Sequence, residues 1–141
     1  MQGGITSPYG VKVFCSPDGK EETTVSYDPL KKQLTVDFIK SSVHAPVQMP
    51  SNAIFGPQMD GFPEKVSEQS APFELAKGET LKLDIFLDRS VIEIFANSRQ
   101  CVTQVVYPEL ESSNLLKVFS GNDKVLVKKA TCWTMAETNR D

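Results

Sequence analysis

The sequence predicts an all-β fold, an antiparallel two-sheet β-sandwich with little or no helix. In almost every hydrophobic stretch, apolar and polar residues alternate with a period of two, which is the pattern of half-buried strands. Turn signals such as Pro17-Asp18-Gly19 separate these stretches at short intervals. Many short strands joined by such turns are typical of antiparallel sandwiches and barrels.

The alternation delimits the strands one by one. In chain order, the predicted strands cover residues 11–15, 22–27, 33–39, 81–87, 91–96, 101–107, 115–119, 125–127 and 131–135. Proline and glycine mark most of the breaks, since proline presets φ and glycine accepts the left-handed conformation. Gly121-Asn122-Asp123 is predicted to be a further tight turn.

Residues 41–78 do not follow this pattern. They include five prolines together with apolar residues such as Met49 and Phe73. A long loop without secondary structure is unusual inside a domain, and the apolar residues argue against a free linker. We therefore expect an ordered loop that covers part of the sandwich, with a short strand at 72–75.

Length and charge limit the classes of function. A chain of 141 residues fits one domain. We expect a disordered or linker stretch at 1–8, the sandwich at 9–136 and a tail at 137–141. With 15 Lys and Arg against 18 Asp and Glu and no basic stripe, a nucleic-acid partner is not expected. No membrane span or signal peptide is predicted either, and the compartment stays open.

The cysteines and the single histidine predict no metal or cofactor site. Cys15, Cys101 and Cys132 have no C-x-x-C spacing, and all three fall in predicted strands, so we expect buried structural thiols. His44 lies alone in the proline-rich loop and is expected to be solvated.

The hairpin at residues 83–97 carries the strongest functional signal. If Arg89-Ser90 form its two-residue tip, one face is wholly apolar and belongs in the core: Leu83, Ile85, Leu87, Ile92, Ile94 and Ala96. The opposite face mixes aromatic rings with acidic and amide groups: Asp84, Phe86, Asp88, Glu93, Phe95 and Asn97. This second face is the candidate interface or sugar-binding face.

Asp88 and Glu93 also raise the question of an active site. In the expected register they are diagonal neighbours, with Cβ atoms roughly 7 Å apart. Carboxylate pairs of glycosidases are about 5 to 9 Å apart, so distance alone leaves this interpretation open.

Four segments, 10–28, 34–42, 81–108 and 115–135, together resemble the C-terminal β-sandwich module of glycoside hydrolase family 32, the invertase, inulinase and levanase group of β-fructosidases. The most specific part is D-x-S-x-x-E-x-F at 88–95, followed by Tyr107-Pro108. One departure is Phe38, where the family often has an arginine after Val-Asp. For the fold, the resemblance implies a jelly-roll or concanavalin-like sandwich.

For function, the resemblance implies a non-catalytic accessory module. The family's chemistry belongs to an N-terminal five-bladed β-propeller with W-M-N-D-P-N-G, R-D-P and E-C motifs, and none of these motifs occurs in this sequence. Asp88 and Glu93 are then not the glycosidic pair. The implied partner is a catalytic propeller, and the parent enzyme would resemble a retaining hydrolase of β-fructosides.

Three functions of the candidate face remain open. It could pack on the propeller, since exposed aromatic rings among charges are typical of interdomain surfaces. It could bind fructan oligosaccharides, with Trp133 as a further stacking residue, although a tryptophan in a final strand is more often buried. It could also pair two copies of the chain in a homodimer.

Overall fold

The structure is a computed structural model that describes residues 4–51, 54 and 63–136. Its strands, in chain order, are β1 (Tyr9–Cys15), β2 (Thr23–Asp28), β3 (Gln33–Asp37), β4 (Met49–Pro50), β5 (Lys65–Val66), β6 (Glu68–Pro72), β7 (Leu83–Asp88), β8 (Val91–Ala96), β9 (Gln100–Val105) and β10 (Leu115–Ser120). Every pairing is antiparallel. Within the described ranges, helical geometry occurs only at Ser51 and Ile54, so the all-β prediction is confirmed.

The larger sheet has five strands in the order β10-β1-β2-β3-β6. Its register places Val11 beside Val25 and Val25 beside Val36, so apolar residues of neighbouring strands share a face. Val25 and Val36 are fully buried, because the alternating pattern turns that face towards the core.

The smaller sheet has three strands in the order β7-β8-β9 and carries the predicted hairpin. The observed pairs, from Leu83 with Ala96 to Leu87 with Ile92, confirm the expected register. Ile92 and Ala96 are fully buried, as expected. Leu87, however, is 43% exposed, because it lies beside the hairpin tip on an edge strand.

The core lies between the two sheets. Its buried residues are Val13, Val25, Tyr27, Leu34, Val36, Phe38, Phe73, Ile92, Ile94, Ala96, Val102 and Val106. Removing a side chain of this kind from water stabilises the fold by about 1.5–3 kcal/mol. Phe38, the position that departs from the family pattern, is completely buried and is part of this core.

The proline-rich region contains more structure than its sequence predicted. It includes the short β4–β5 ladder and β6, which pairs with β3 and forms one edge of the larger sheet. The observed strand is Glu68–Pro72, so the predicted strand at 72–75 is wrong. Charges and a proline are common on edge strands, and they conceal the hydrophobic alternation. Some apolar residues of this region, among them Phe55, lie outside the described residues.

The two last predicted strands are also wrong. Residues 124–136 contain no strand, and the side chains of Leu126, Trp133 and Met135 are 80%, 78% and 76% exposed. Alternation shows only that a segment is suited to a strand, whereas a strand also needs a hydrogen-bonded neighbour. Trp133 is therefore not the buried residue that its position suggested.

The β10 edge of the larger sheet carries apolar side chains that are partly exposed. Val118 on β10 pairs with Val11, so it lies on the core side of the sheet, yet it is 50% exposed. Leu116, two residues earlier on the same face, is 59% exposed. In the described part of the chain, the inner face of β10 is therefore only partly covered.

The turn between β8 and β9 offers a stabilising substitution. Asn97 and Ser98 have φ values of 48° and 56°, and the amide of Arg99 donates to the carbonyl of Ala96 over 3.1 Å. Positive φ at both central residues defines a type I′ turn, which favours Asn-Gly. We expect Ser98→Gly to raise the free energy of unfolding by about 0.5–1 kcal/mol in urea titrations. Ser112→Gly is the control. Ser112 lies in a turn but has no positive φ, so this substitution should lower the free energy of unfolding.

Candidate interaction site

The predicted face is the outer surface of the three-stranded sheet. The register aligns Asp84 with Phe95 and Cys101, and Phe86 with Glu93 and Thr103, as two rows across the strands. A third row consists of Asp88, Val91 and Val105. Five of the six predicted site residues therefore stand together on one face, which we call the outer face; Asn97 follows β8 at its margin.

Aromatic rings form the centre of the outer face. Phe86 and Phe95 are in edge-to-face contact, with ring centroids 5.9 Å apart and an interplanar angle of 85°. Phe86 remains 45% exposed and Val105 39% exposed. Such a pair contributes beyond its buried area, and its exposed part is available to a partner.

The carboxylates surround this apolar centre in different ways. Asp84 pairs with the Lys82 ammonium at 3.0 Å. Asp88 and Glu93 are exposed diagonal neighbours, as predicted, and neither has an ion-pair partner among the residues that the structure describes. A glycosidic pair works within a cleft that holds the sugar, whereas these two carboxylates stand on an open face.

Asn97 has a structural task. Its side-chain oxygen accepts from the Lys82 amide at 2.7 Å, and its amide donates to Glu79 and to the Thr80 carbonyl. Glu79 also accepts a hydrogen bond from Arg99 at 2.8 Å. The hydrogen bonds to Glu79, chiefly the one from Arg99, lower the pKa of the Glu79 carboxyl group to about 2. The network fastens the segment before β7 to the β8–β9 turn.

Glu21 is the functional-looking residue that the sequence did not reveal. Its carboxylate is completely buried and accepts four hydrogen bonds, from the amides of Val43, Glu109 and Leu110 and from the hydroxyl of Ser113. Backbone amides converging on one carboxylate form an anion-binding nest. Glu21 thus joins the β1–β2 loop to two segments distant in sequence.

The hydrogen bonds at Glu21 outweigh its burial. Burial alone would raise the pKa of this carboxyl, but the bonds from Ser113 and the three amides hold it below its usual value. The side chain therefore stays charged, although no cationic side chain pairs with it among the described residues. One signal was visible in the sequence: Glu21 has the same parity as Thr23, Val25 and Tyr27, which point to the core.

Asp123 holds together the two ends of the sandwich. Its Oδ2 accepts from the amide of Ser7 at 2.8 Å and from the Ser7 hydroxyl at 2.7 Å, and the Thr6 amide adds a third bond at 2.9 Å. These hydrogen bonds, chiefly those from Ser7, lower the pKa of Asp123 to about 2. The carboxylate thus connects the approach to β1 with the turn that follows β10.

The thiols differ from the prediction. Cys15 is buried, and burial raises the pKa of its thiol, as expected of a structural residue. Cys101 and Cys132 are exposed, so their predicted burial is wrong. Cys101 pairs with Phe95 on the outer face, where alternation places β9 residues of odd number outside. His44 is exposed, with its Nε2 3.3 Å from Glu109.

Two clefts in the described residues, one beside Tyr9 and Tyr27 and one beside Lys12 and Glu22, lie away from the outer face. No group of three or more His, Cys, Asp and Glu in these residues is placed to hold a metal ion. Among the same residues, no helix is both long and apolar enough to cross a membrane.

Comparison with known proteins gives consistent matches. A fructan 1-exohydrolase from Bromus pictus is 30% identical over 146 residues, which cover 96% of this chain and 22% of the relative. A levanase from Bacillus subtilis is 30% identical over 129 residues, covering 91% of this chain and 16% of the relative. The chain therefore spans about a fifth of the length of these relatives.

Solved structures support the same fold. An exo-inulinase from Aspergillus awamori superposes with a TM-score of 0.62 at 20% identity, over 86% of this chain and 20% of that one. A β-fructofuranosidase from Aspergillus kawachii gives 0.58 at 24% identity, over 82% and 18%. The family model for the C-terminal region of glycosyl hydrolases family 32 matches residues 3–134. The chain therefore belongs to the glycosyl hydrolases family 32 C-terminal family.

Proposed function

We propose that this chain is a non-catalytic accessory module that supports a catalytic β-propeller domain, and that the outer face binds this domain. The chain corresponds to about a fifth of relatives named fructan 1-exohydrolase and levanase. We infer that the partner domain hydrolyses β-fructosides and that this chain supplies none of the reacting groups.

The observation that carries the proposal is the composition of the outer face. Phe86 and Val105 form an exposed apolar centre, and the carboxylates of Asp88 and Glu93 lie at its side. Interfaces between domains of one enzyme are more polar than obligate interfaces, and this mixture fits them.

A first test uses the chain alone. We expect a monomer that binds a hydrophobic dye, with a fluorescence that Phe86→Ser lowers and Leu30→Ser leaves unchanged. Leu30 is a fair control because it is 72% exposed and lies in the β2–β3 turn. Sedimentation velocity at several protein concentrations gives the oligomeric state of the chain. A concentration-dependent dimer that Phe86→Ser abolishes would instead assign the face to self-association.

A second test adds the partner. Cys101 on the outer face accepts a fluorophore once Cys132 is replaced by serine, since Cys15 is buried. Titration with a family 32 catalytic propeller lacking its own C-terminal module should change the emission saturably. Phe86→Ser should weaken this binding about tenfold, as loss of a central aromatic contact does. A titration without saturation would contradict the proposal.

A further inference from the structure

The larger of the two clefts, of about 320 Å³, lies where β1 begins and β2 ends. Tyr9 and Tyr27 line it from the sheet, Lys32 from the β2–β3 turn, and residues 74–77 from the connection to β7. Its volume is within the range of small-molecule sites. None of its residues belongs to the outer face.

Aromatic rings form the sheet side of this cleft. Tyr9 and Tyr27 are edge to face with centroids 5.8 Å apart, and Tyr27 contacts Phe73 in the same way at 5.6 Å. The Tyr27 hydroxyl accepts from the Leu75 amide at 3.2 Å. Among the described residues, none accepts a hydrogen bond from the Tyr27 hydroxyl. This buried hydroxyl group therefore keeps a free donor at the cleft.

Charged groups of both signs form the rim. The Lys32 ammonium is 2.6 Å from Glu74 Oε1, and both side chains are more than half exposed. Together with Lys77, a second exposed lysine of the lining, they offer hydrogen-bond donors and acceptors to a ligand. Burial, followed by the proximity of Tyr27, raises the pKa of the Tyr9 phenol, which therefore stays a neutral hydrogen-bonding group.

The wall opposite the sheet is fixed before any ligand arrives. Arg99 donates to the Glu74 carbonyl at 2.7 Å and to Glu79, and its guanidinium lies 4.8 Å from the centre of the Phe73 ring. The Ala76 amide donates to Glu79 at 2.8 Å. A wall held in this way loses little conformational freedom on binding.

We propose that this cleft binds a neutral carbohydrate of one or two sugar units. The half-buried ring of Tyr9 can pack against the C–H face of a sugar, while the Lys32–Glu74 pair and the Tyr27 hydroxyl can hydrogen-bond the hydroxyl groups. The site is separate from the proposed docking face, and its test needs no propeller.

Backbone amide NMR titrations of the chain with sucrose and with 1-kestose test this proposal. We expect saturable shifts at the amides of Tyr9, Lys32 and Leu75. Lys32→Ala and Glu74→Ala should each weaken binding about tenfold, as lost charge-assisted hydrogen bonds do. Lys31→Ala is the matched control, because Lys31 is exposed in the same turn and does not line the cleft.

Three results would overturn the proposal. The first is the absence of saturation with both sugars at concentrations well above the millimolar range. The second is a set of shifts at Phe86 and Glu93 that Glu93→Ala removes, which would place the sugar on the outer face. The third is an equal response to inorganic phosphate, which would identify an anion site. A negative sugar titration leaves the propeller experiment unaffected, so the two proposals fail separately.

Discussion

Glu21→Gln is expected to lower the free energy of unfolding by about 2–4 kcal/mol, because it disrupts a buried and fully bonded carboxylate. Oε1 of Glu21 accepts from the amides of Val43 and Glu109, and Oε2 from the amide of Leu110 and the hydroxyl of Ser113. A glutamine NH₂ group in the second position would face the Leu110 amide donor. Urea unfolding monitored by circular dichroism gives the difference.

Glu22→Gln is the matched control. Glu22 is the next residue, and its pKa is lowered too, but its side chain is partly exposed and pairs with Lys12 at 2.8 Å. Its loss should therefore cost less than that of the completely buried Glu21. Equal losses for the two variants would contradict the role assigned to Glu21. So would a Glu21→Gln protein that is as stable as the unmodified chain.

The same carboxylate predicts a dependence on pH. The pKa of Glu21 is lower in the folded chain than its ordinary value of 4.5. The contribution of the Glu21 carboxylate to the free energy of unfolding is therefore complete above pH 4.5. It is lost as the pH falls through the folded-state pKa. Between pH 7 and acid pH we expect Glu21→Gln to lose less stability than the unmodified chain. The remaining acid sensitivity has other sources, because the folded chain also lowers the pKa values of Asp18 and Glu22, and those of Glu79 and Asp123 to about 2.

Phe38→Ala is the second variant with a large expected effect, a loss of about 3–5 kcal/mol in the free energy of unfolding. Phe38 has no exposed surface, and its amide donates to the Ser67 carbonyl at 2.9 Å. Truncation removes a ring from the centre of the sandwich and leaves a cavity. Phe38→Arg would place a charge in the same apolar surroundings and should prevent folding.

Ile39→Ala provides the comparison for Phe38. The two residues are adjacent, but Ile39 is 37% exposed and outside the core, so the loss should stay within about 1 kcal/mol. If both alanine variants lost the same stability in urea, Phe38 would not be the core residue that the structure shows.

The sequence predicted those parts of the fold in which hydrophobic alternation and a tight turn agree. The β7–β8 register followed from one apolar face and a two-residue tip, even though Arg89 adopts a φ of 53° that arginine seldom takes. The resemblance to family 32 modules was then confirmed by a match over residues 3–134. The position of the outer face followed directly from this register.

The remaining errors arise where the conformation of a segment depends on the strand it pairs with and not on its own hydrophobic alternation. β6 lacks hydrophobic alternation because it is a polar edge strand, whereas residues 125–127 alternate and nevertheless form no strand. The Tyr9 cleft and the Glu21 nest both join segments far apart in the chain. No local pattern reports such contacts, so neither site could be predicted from single stretches of sequence.

The bonds of Asp123 to Thr6 and Ser7 have a mechanical consequence. The start of β1 and the end of β10 lie side by side, with Tyr9 opposite Ser120 in an antiparallel pair. Tension applied at these two ends would act perpendicular to the strands. The hydrogen bonds between β1 and β10 would then break one after another, starting at the Asp123 end. A force directed along the strands would instead act on all of these hydrogen bonds at once. A traction force on the sandwich would therefore separate β10 from β1 before it disturbs the core.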